Sequence, residues 1–151
     1  MTYHIEIKEI EPIRVAYMKY KGFAQDANQH FPAVFKAIRG KADGAPLFHY
    51  LAIHPDTKYC ELELCVPTGA TPQGKGIEVK ELPRIKALCV THTGPYDTLP
   101  QAYLALETYA KEHDIIITLP YRERYIKGPG LLIKGNPKNY ITEIQMCIAE
   151  E

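Results

Sequence analysis

A weak internal duplication constrains the fold of this chain more than any other feature of its sequence. Residues 7–10 (Ile-Lys-Glu-Ile) match residues 79–82 (Val-Lys-Glu-Leu) at a spacing of 72 (79 − 7), and residues 61–66 match residues 143–148 at a spacing of 82 (143 − 61). The second copy is therefore longer by ten residues, and we place this insertion at 127–130. Such a repeat predicts two copies of one supersecondary unit.

Each copy shows the same order of local patterns, which predicts β-β-α-β-β, or β-α-β-β if the opening strand is discounted. Asn28 is the predicted N-cap of the first helix, and Thr98 that of the second. Pro32 and Pro100 are expected in the first helical turns, where a missing N–H does no harm. In the first copy the predicted elements are strands at 3–9 and 13–21, a helix from Asp26 or Asn28 to about Ala42, and strands at 48–53 and 59–66. In the second copy they are strands at 77–81 and 85–93, a helix at 98–113, and strands at 119–126 and 141–148.

The chain is predicted to form a single domain over 1–151, with repeats at about 3–67 and 77–149. Residues 68–76, rich in Gly, Pro and Thr, form the connector. Strands grouped around two helices predict an α+β fold, an antiparallel sheet with two helices on one face. In each closing strand apolar residues alternate with Glu, Gln and Cys, so one side should meet a helix while the other carries carboxylates outside plain solvent.

Composition excludes several function classes. Lys and Arg number 18 and Asp and Glu 18, so the net charge of zero argues against nucleic acid as the main partner. No apolar run approaches the roughly 20 residues of a membrane helix, and the N-terminus lacks a secretory signal, which predicts a cytoplasmic protein. The four cysteines form no C-x-x-C pair, and nucleophile-elbow and phosphate-loop motifs are missing, so we expect neither a metal nor a cofactor.

The most informative stretch is Tyr121-Arg122-Glu123-Arg124-Tyr125. Strand periodicity places Tyr121, Glu123 and Tyr125 on one face and the two arginines on the other. A carboxylate flanked by aromatic rings suits a cationic, apolar ligand, and partial burial would make it a candidate acid or base. The alternative is that Glu123 pairs with Arg122, Arg124 or a cross-strand lysine on a wet face.

Four more residues are weaker candidates. Tyr140 and Glu143 flank the start of the last strand, where Tyr140 can approach Tyr125, while Glu143 is equally well explained by a structural hydrogen bond. Tyr96 follows Gly94-Pro95 at a strand-to-helix junction and either overhangs the sheet or packs on the helix start. Tyr17 is a further candidate, with core packing as its alternative.

Three segments together resemble the GyrI-like small-molecule-binding family, which also supplies the effector-binding domain of AraC- and MerR-type bacterial regulators. They are His92-Thr93-Gly94-Pro95-Tyr96, the run from Tyr121 to Pro129, and the run from Asn136 to Ile144. The resemblance implies duplicated βαββ units that enclose a ligand cleft between the halves. It also implies a buried glutamate that receives cationic lipophilic drugs, at the position of Glu123, with Tyr125 and Tyr140 as pocket residues.

The resemblance leaves three functions open. We predict first a binding module that senses or sequesters small, apolar, cationic molecules, with Glu123, Tyr96, Tyr121, Tyr125, Tyr140 and Tyr17 as ligand-binding residues. The second is a cofactor-free hydrolase of strained electrophiles, in which Glu123 is catalytic. The third is an interaction protein that inhibits gyrase. Because the domain begins at residue 3, the resemblance implies a stand-alone member without direct DNA binding, whose candidate partners are a separate regulator, gyrase or a second copy.

Overall fold

A computed structural model describes residues 2–129 and 135–150. Gly130, part of the predicted insertion, lies outside the described residues. The strands are β1 (Ile5–Ile10), β2 (Ile13–Phe23), β3 (Leu47–Ile53), β4 (Tyr59–Pro67), β5 (Glu78–Leu82), β6 (Ile85–Thr93), β7 (Ile117–Lys127) and β8 (Ile141–Ile148). The α-helices are α1 (Ala24–Ala27), α2 (Phe31–Ala37) and α3 (Leu99–Glu112), with single 3₁₀ turns at Asn28–His30, Tyr96–Thr98 and Pro137–Asn139.

The chain divides into two compact units, each an antiparallel sheet with helical cover. The C-terminal unit consists of residues 1–10 and 85–151, with strand order β1-β6-β8-β7. The N-terminal unit consists of residues 11–84, with strand order β3-β4-β2-β5. The predicted α+β class with antiparallel sheet is confirmed, and no helix among residues 2–129 and 135–150 is long and apolar enough to cross a membrane.

The opening strand of each copy pairs with the sheet of the other copy. Strand β1 joins β6, with Ile10 opposite Ile85, and strand β5 joins β2, with Leu82 opposite Ile13. The two pairings have the same register. Leu82 lies 72 positions after Ile10, and Ile85 lies 72 positions after Ile13. Because of this exchange, the opening strand belongs to the sequence repeat but completes the sheet of the other copy. Each copy alone therefore contributes β-α-β-β to its own sheet.

Strand pairing corrects the predicted alignment of the closing strands. Lys19 of β2 is opposite Glu63, and Thr91 of β6 is opposite Glu143. Lys19 and Thr91 are 72 residues apart, whereas Glu63 and Glu143 are 80 apart (143 − 63), so Glu143 corresponds to Glu63 and not to Glu61. The predicted spacing of 82 is wrong by two residues because a slip of two keeps every side chain on the same face.

The first predicted helix is shorter than expected and broken by a 3₁₀ turn. It ends at Ala37 instead of Ala42 because Arg39 and Gly40 adopt left-handed backbone angles, and the Gly40 N–H donates to the carbonyl of Phe35 in a C-terminal capping arrangement. Asn28 opens the 3₁₀ turn and does not cap the helix. Thr98 stands at the N-cap position of α3 without capping it, while Pro32 and Pro100 lie in first turns as predicted.

Helix α3 positions the C-terminal half of the fold by packing on one face of its sheet. Leu99, Ala102 and Leu106 of the helix form one buried cluster with Ile144 and Met146 of β8. The opposite face of β8 presents Glu143 and Gln145, which are also buried. The prediction that the closing strand carries a carboxylate outside plain solvent is confirmed.

Candidate ligand-binding site

Glu123 lies on the helix-facing side of β7. In the β7–β8 pair it is directly opposite Ile144, and Tyr121 is opposite Met146; both partners belong to the core beneath α3. Residues opposite each other in an antiparallel pair share a face. Glu123 is therefore an acidic side chain in an apolar layer, and it is only 6% exposed.

Two tyrosine hydroxyls hold the Glu123 carboxylate. Tyr125 donates to Oε1 at 2.7 Å, and Tyr103, from helix α3, donates to Oε2. Tyr103 was not among the predicted site residues. The signal that identifies it is a phenol, with its polar tip, inside an otherwise aliphatic stripe.

Three tyrosine rings form a cluster beside this carboxylate. The Tyr96 ring centroid lies 5.5 Å from that of Tyr125 and 5.1 Å from that of Tyr140. Burial, with smaller electrostatic contributions from the neighbouring Tyr140 and Glu123, raises the pKa of Tyr96 to about 12. The structure thus brings Tyr96, Tyr125 and Tyr140 into one cluster with Glu123, as the sequence analysis expected.

The two remaining candidates lie elsewhere. Tyr121 is half-buried and packs against the apolar cluster beneath α3, where burial raises its pKa. Tyr17 belongs to the N-terminal unit, donates its hydroxyl to Glu78 at 3.3 Å and lies beneath the Lys80 ammonium. Their contribution to binding stays a prediction.

A chain of hydrogen bonds supports the loop that carries Tyr96. The Thr98 hydroxyl donates to the Pro95 carbonyl at 2.7 Å, so it must accept from Nε2 of His92, also at 2.7 Å. Nδ1 of His92 then accepts from the Tyr3 hydroxyl at 2.9 Å. This neutral tautomer agrees with the lowered pKa of His92, which burial produces. These hydrogen bonds connect the loop to His92 of β6 and, through His92, to Tyr3, which precedes β1.

On the opposite face, Arg124 and Glu143 form a structural ion pair. Arg124 donates to the Glu143 carboxylate at 2.6 Å, and Lys8 and Gln145 each donate to it at 2.8 Å. Burial alone would raise the pKa of Glu143, but the hydrogen bonds from Lys8, Arg124 and Gln145 outweigh it and lower that pKa. These contacts fit the structural interpretation of Glu143.

The N-terminal unit contains the counterpart of this ion pair. Glu63 contacts His49 at 2.9 Å and Lys80 at 2.5 Å, and Lys80 is the residue 72 positions after Lys8. Burial opposes ionisation of Glu63, but hydrogen bonds from His49 and Lys80 outweigh it and lower the pKa of the carboxyl. In both units a buried carboxylate thus joins the exchanged opening strand to the closing strand.

The same equivalence shows that Glu123 replaces an apolar core residue. His49 is opposite Glu63 and Arg124 is opposite Glu143, so Glu123, which precedes Arg124, corresponds to Phe48, which precedes His49. Phe48 is buried and stacks on Phe31 at the start of α2, with ring centroids 5.5 Å apart. The fold accepts a phenyl ring at this position in one copy, so it does not require a carboxylate there in the other.

Gly128 lets the Tyr96 hydroxyl approach the backbone closely. A Cβ at this position would lie 2.6 Å from the hydroxyl oxygen and 3.9 Å from the ring carbon that bears it. Because the Tyr96 ring is held between two other rings, we expect Gly128→Ala to lower the free energy of unfolding by about 1–3 kcal/mol in thermal or urea unfolding. Adding Tyr96→Phe should restore most of this loss, since only the hydroxyl clashes.

A matched control for this double-mutant cycle is Gly69→Ala, whose new Cβ would meet Asp43 at an ordinary 3.7 Å. That variant should change stability by less than about 0.5 kcal/mol. Equal losses in Gly128→Ala and in the double variant would contradict the packing of Tyr96 described above.

Comparison with known proteins identifies the family. The model of the GyrI-like small molecule binding domain matches residues 3–149. The chain belongs to this family. Within the part of the chain that the structure describes, this GyrI-like domain shows no group of three or more His, Cys, Asp or Glu side chains able to hold a metal ion. A search of the curated proteins gives no match.

Solved structures agree with the family. The EcmrR C-terminal domain is 25% identical with a TM-score of 0.83, and the match covers 100% of both chains. EcmrR in its DNA complex is 22% identical with a TM-score of 0.81, and the GyrI-like domain spans 58% of that chain. SAV2435 bound to tetraphenylphosphonium is 16% identical with a TM-score of 0.63, covering 99% of this chain and 94% of that one. A hydrolase from Listeria innocua is 12% identical with a TM-score of 0.69, covering 96% and 91%, which shows the fold alone.

Proposed function

We propose that this GyrI-like domain binds aromatic, lipophilic cations, with Glu123 as the counter-charge and Tyr96, Tyr125 and Tyr140 as the aromatic wall. The observation that carries the proposal is the buried Glu123 carboxylate, which accepts hydrogen bonds from Tyr103 and Tyr125 beside that cluster of rings. A site of this composition offers negative charge and π surface together.

The chemistry of the hydrogen-bond donors favours a charged ligand over a neutral one. The phenol hydroxyls of Tyr103 and Tyr125 are neutral donors to the Glu123 carboxylate, whereas Lys8 and Arg124 are charged donors to Glu143. A cation near Glu123 gains Coulomb energy of about 3 kcal/mol at 5 Å and an effective dielectric constant of about 20. Contact with the tyrosine faces adds about 0.5–2 kcal/mol.

The relatives support both the ligand class and the role. SAV2435 was solved bound to tetraphenylphosphonium, a bulky aromatic cation, and EcmrR carries its similar domain within a chain solved on DNA. We therefore propose that the domain serves as the effector-binding part of a sensing or sequestering system. In this proposal the preference for cations comes from Glu123. The fold alone does not supply it, because the equivalent position in the first copy is Phe48.

The test compares a cation with a neutral molecule of similar shape. Isothermal titration calorimetry should show that the protein binds tetraphenylphosphonium at least ten times more tightly than triphenylphosphine oxide, which carries similar rings without net charge. Raising the salt concentration should change the affinity little if the carboxylate is buried as described. Equal affinity for the two compounds would contradict the proposal.

Analysis of the recovered ligand separates binding from hydrolysis. A binding module returns every ligand unchanged after long incubation with excess protein. Conversion of an electrophilic ligand, lost in Glu123→Gln, would instead assign Glu123 the role of a general base that activates water.

A further inference from the structure

Thr142 carries a buried hydroxyl that the described part of the chain leaves without a hydrogen bond. The residue is 0% exposed, and its Oγ1 atom has no hydrogen-bond partner among the residues that the structure describes. A buried hydroxyl left without a partner destabilises a protein by about 1–3 kcal/mol, so its presence needs an explanation. Valine has nearly the same shape and would avoid this cost.

Strand register places this hydroxyl beside the candidate site. Thr142 of β8 lies between His92 of β6 and Tyr125 of β7, and it is opposite both of them. Ile144, two residues further along β8, faces α3 and is opposite Glu123. Because residues two apart on a strand share a face, Thr142 lies on the helix-facing side, in the row of side chains next to that of Glu123.

The neighbouring polar groups are already engaged. His92 uses Nε2 to donate to Thr98 and Nδ1 to accept from Tyr3, while the Tyr125 hydroxyl donates to Glu123. His92 and Tyr125 therefore form their hydrogen bonds with residues other than Thr142. The Thr142 O–H can donate to a ligand that enters the site.

We propose that Thr142 is a specificity-determining residue that donates a hydrogen bond to an acceptor atom of the bound cation. The inference rests on the proposed function and narrows its ligand class to aromatic cations that bear an ether or carbonyl oxygen. Diagonal neighbours on adjacent strands lie about 7–8 Å apart. An acceptor three bonds from the cationic centre, together with a hydrogen bond of about 2.8 Å to the Thr142 hydroxyl, reaches about 7 Å when the centre lies against Glu123.

Two phosphonium ions of equal length test this directly. (2-Methoxyethyl)triphenylphosphonium differs from butyltriphenylphosphonium by one oxygen in place of a methylene. Calorimetry should show that the wild-type protein prefers the methoxyethyl ion by about three- to tenfold. Thr142→Val should bind both ions equally and retain the affinity for the butyl ion, whereas Thr142→Ser should keep the preference.

Thermal unfolding of the same variants gives an independent readout. Because the hydroxyl has no hydrogen-bond partner within residues 2–129 and 135–150, Thr142→Val should melt at the wild-type temperature or above it. A lower melting temperature would overturn the inference. Equal affinities for the two ions in the wild-type protein, or an undiminished preference in Thr142→Val, would also overturn it while leaving the proposed function standing. Failure of the wild-type protein to bind either ion would remove the proposed function and this inference together.

Discussion

Replacement of Glu143 by glutamine is expected to lower the free energy of unfolding by about 2–4 kcal/mol at pH 7. The carboxylate is only 3% exposed, and its loss leaves Lys8 and Arg124 without their shared counter-charge. Breaking a buried ion pair from one side costs about 3–5 kcal/mol. We lower this range because the two cationic side chains are 42% and 34% exposed and regain some hydration. Urea unfolding followed by circular dichroism measures the loss.

A matched control comes from the same residue type in an exposed pair. Glu61 contacts Lys21 at 3.4 Å with both side chains well exposed, so Glu61→Gln should cost less than about 1 kcal/mol. Similar losses in the Glu61 and Glu143 variants would contradict the structural role of Glu143.

The loss in free energy of unfolding caused by Glu143→Gln should also become smaller as the pH falls. Hydrogen bonds from Lys8, Arg124 and Gln145 outweigh the effect of burial and hold the pKa of Glu143 below its ordinary value of 4.5. A carboxyl whose pKa is lower in the folded state stabilises the protein fully above that ordinary value and loses its contribution as the pH falls through the folded pKa. The difference between wild type and Glu143→Gln should therefore be constant from pH 6 to 8 and shrink below about pH 4.5.

Local patterns in the sequence predicted the elements of this fold well. Alternating apolar residues predicted β6 and β8 with the bounds that the structure has, because these strands are buried along most of their length. The helix predicted at 98–113 is α3 (Leu99–Glu112), because its apolar residues Leu99, Leu106 and Ala110 recur at helical spacing and are buried. The first helix was predicted too long because its end depends on the left-handed backbone at Arg39 and Gly40, which hydrophobic spacing does not reveal.

Local apolar periodicity could not predict which strands pair when they are distant in sequence. The exchange of β1 and β5 between the two copies depends on pairs of residues that are 61 to 85 positions apart along the chain, from Tyr17 opposite Glu78 (78 − 17) to Ile5 opposite Val90 (90 − 5). The two-residue slip between Glu61 and Glu63 preserves every alternation and is visible only in the register of β2 with β4. Periodicity alone cannot choose between such alternatives.

The candidate site was predictable only where it depends on alternation along a single strand. Alternation placed Glu123 and Tyr125 on one face of a strand, and both lie together on the helix-facing side of β7. Tyr103 was missed because its contact with Glu123 depends on how α3 packs against the sheet. The unpartnered hydroxyl of Thr142 was not predictable either, since it follows from the positions of its neighbours on β6 and β7.

The second large effect is expected at Glu123. Tyr103 and Tyr125 donate to different oxygens of Glu123. Glutamine keeps one oxygen that accepts from one of these hydroxyls, and its NH2 group can donate to the other hydroxyl, so the substitution removes the charge and reverses one hydrogen bond. We expect Glu123→Gln to fold with a melting temperature near that of the wild-type protein and to lose about ten- to a hundredfold in affinity for tetraphenylphosphonium. This loss corresponds to about 1.4–2.7 kcal/mol. Affinity for the neutral triphenylphosphine oxide should be unchanged within about twofold.

The exposed Glu112 at the end of α3 supplies the matched charge control, because Glu112→Gln changes the net charge of the protein equally at a position about 13 Å along the helix from Tyr103. Calorimetric titration of tetraphenylphosphonium into wild type, Glu123→Gln and Glu112→Gln shows whether Glu123 is the counter-charge of the site. We expect a tenfold or greater loss of affinity in Glu123→Gln alone. Equal affinity of all three proteins for the cation would contradict it.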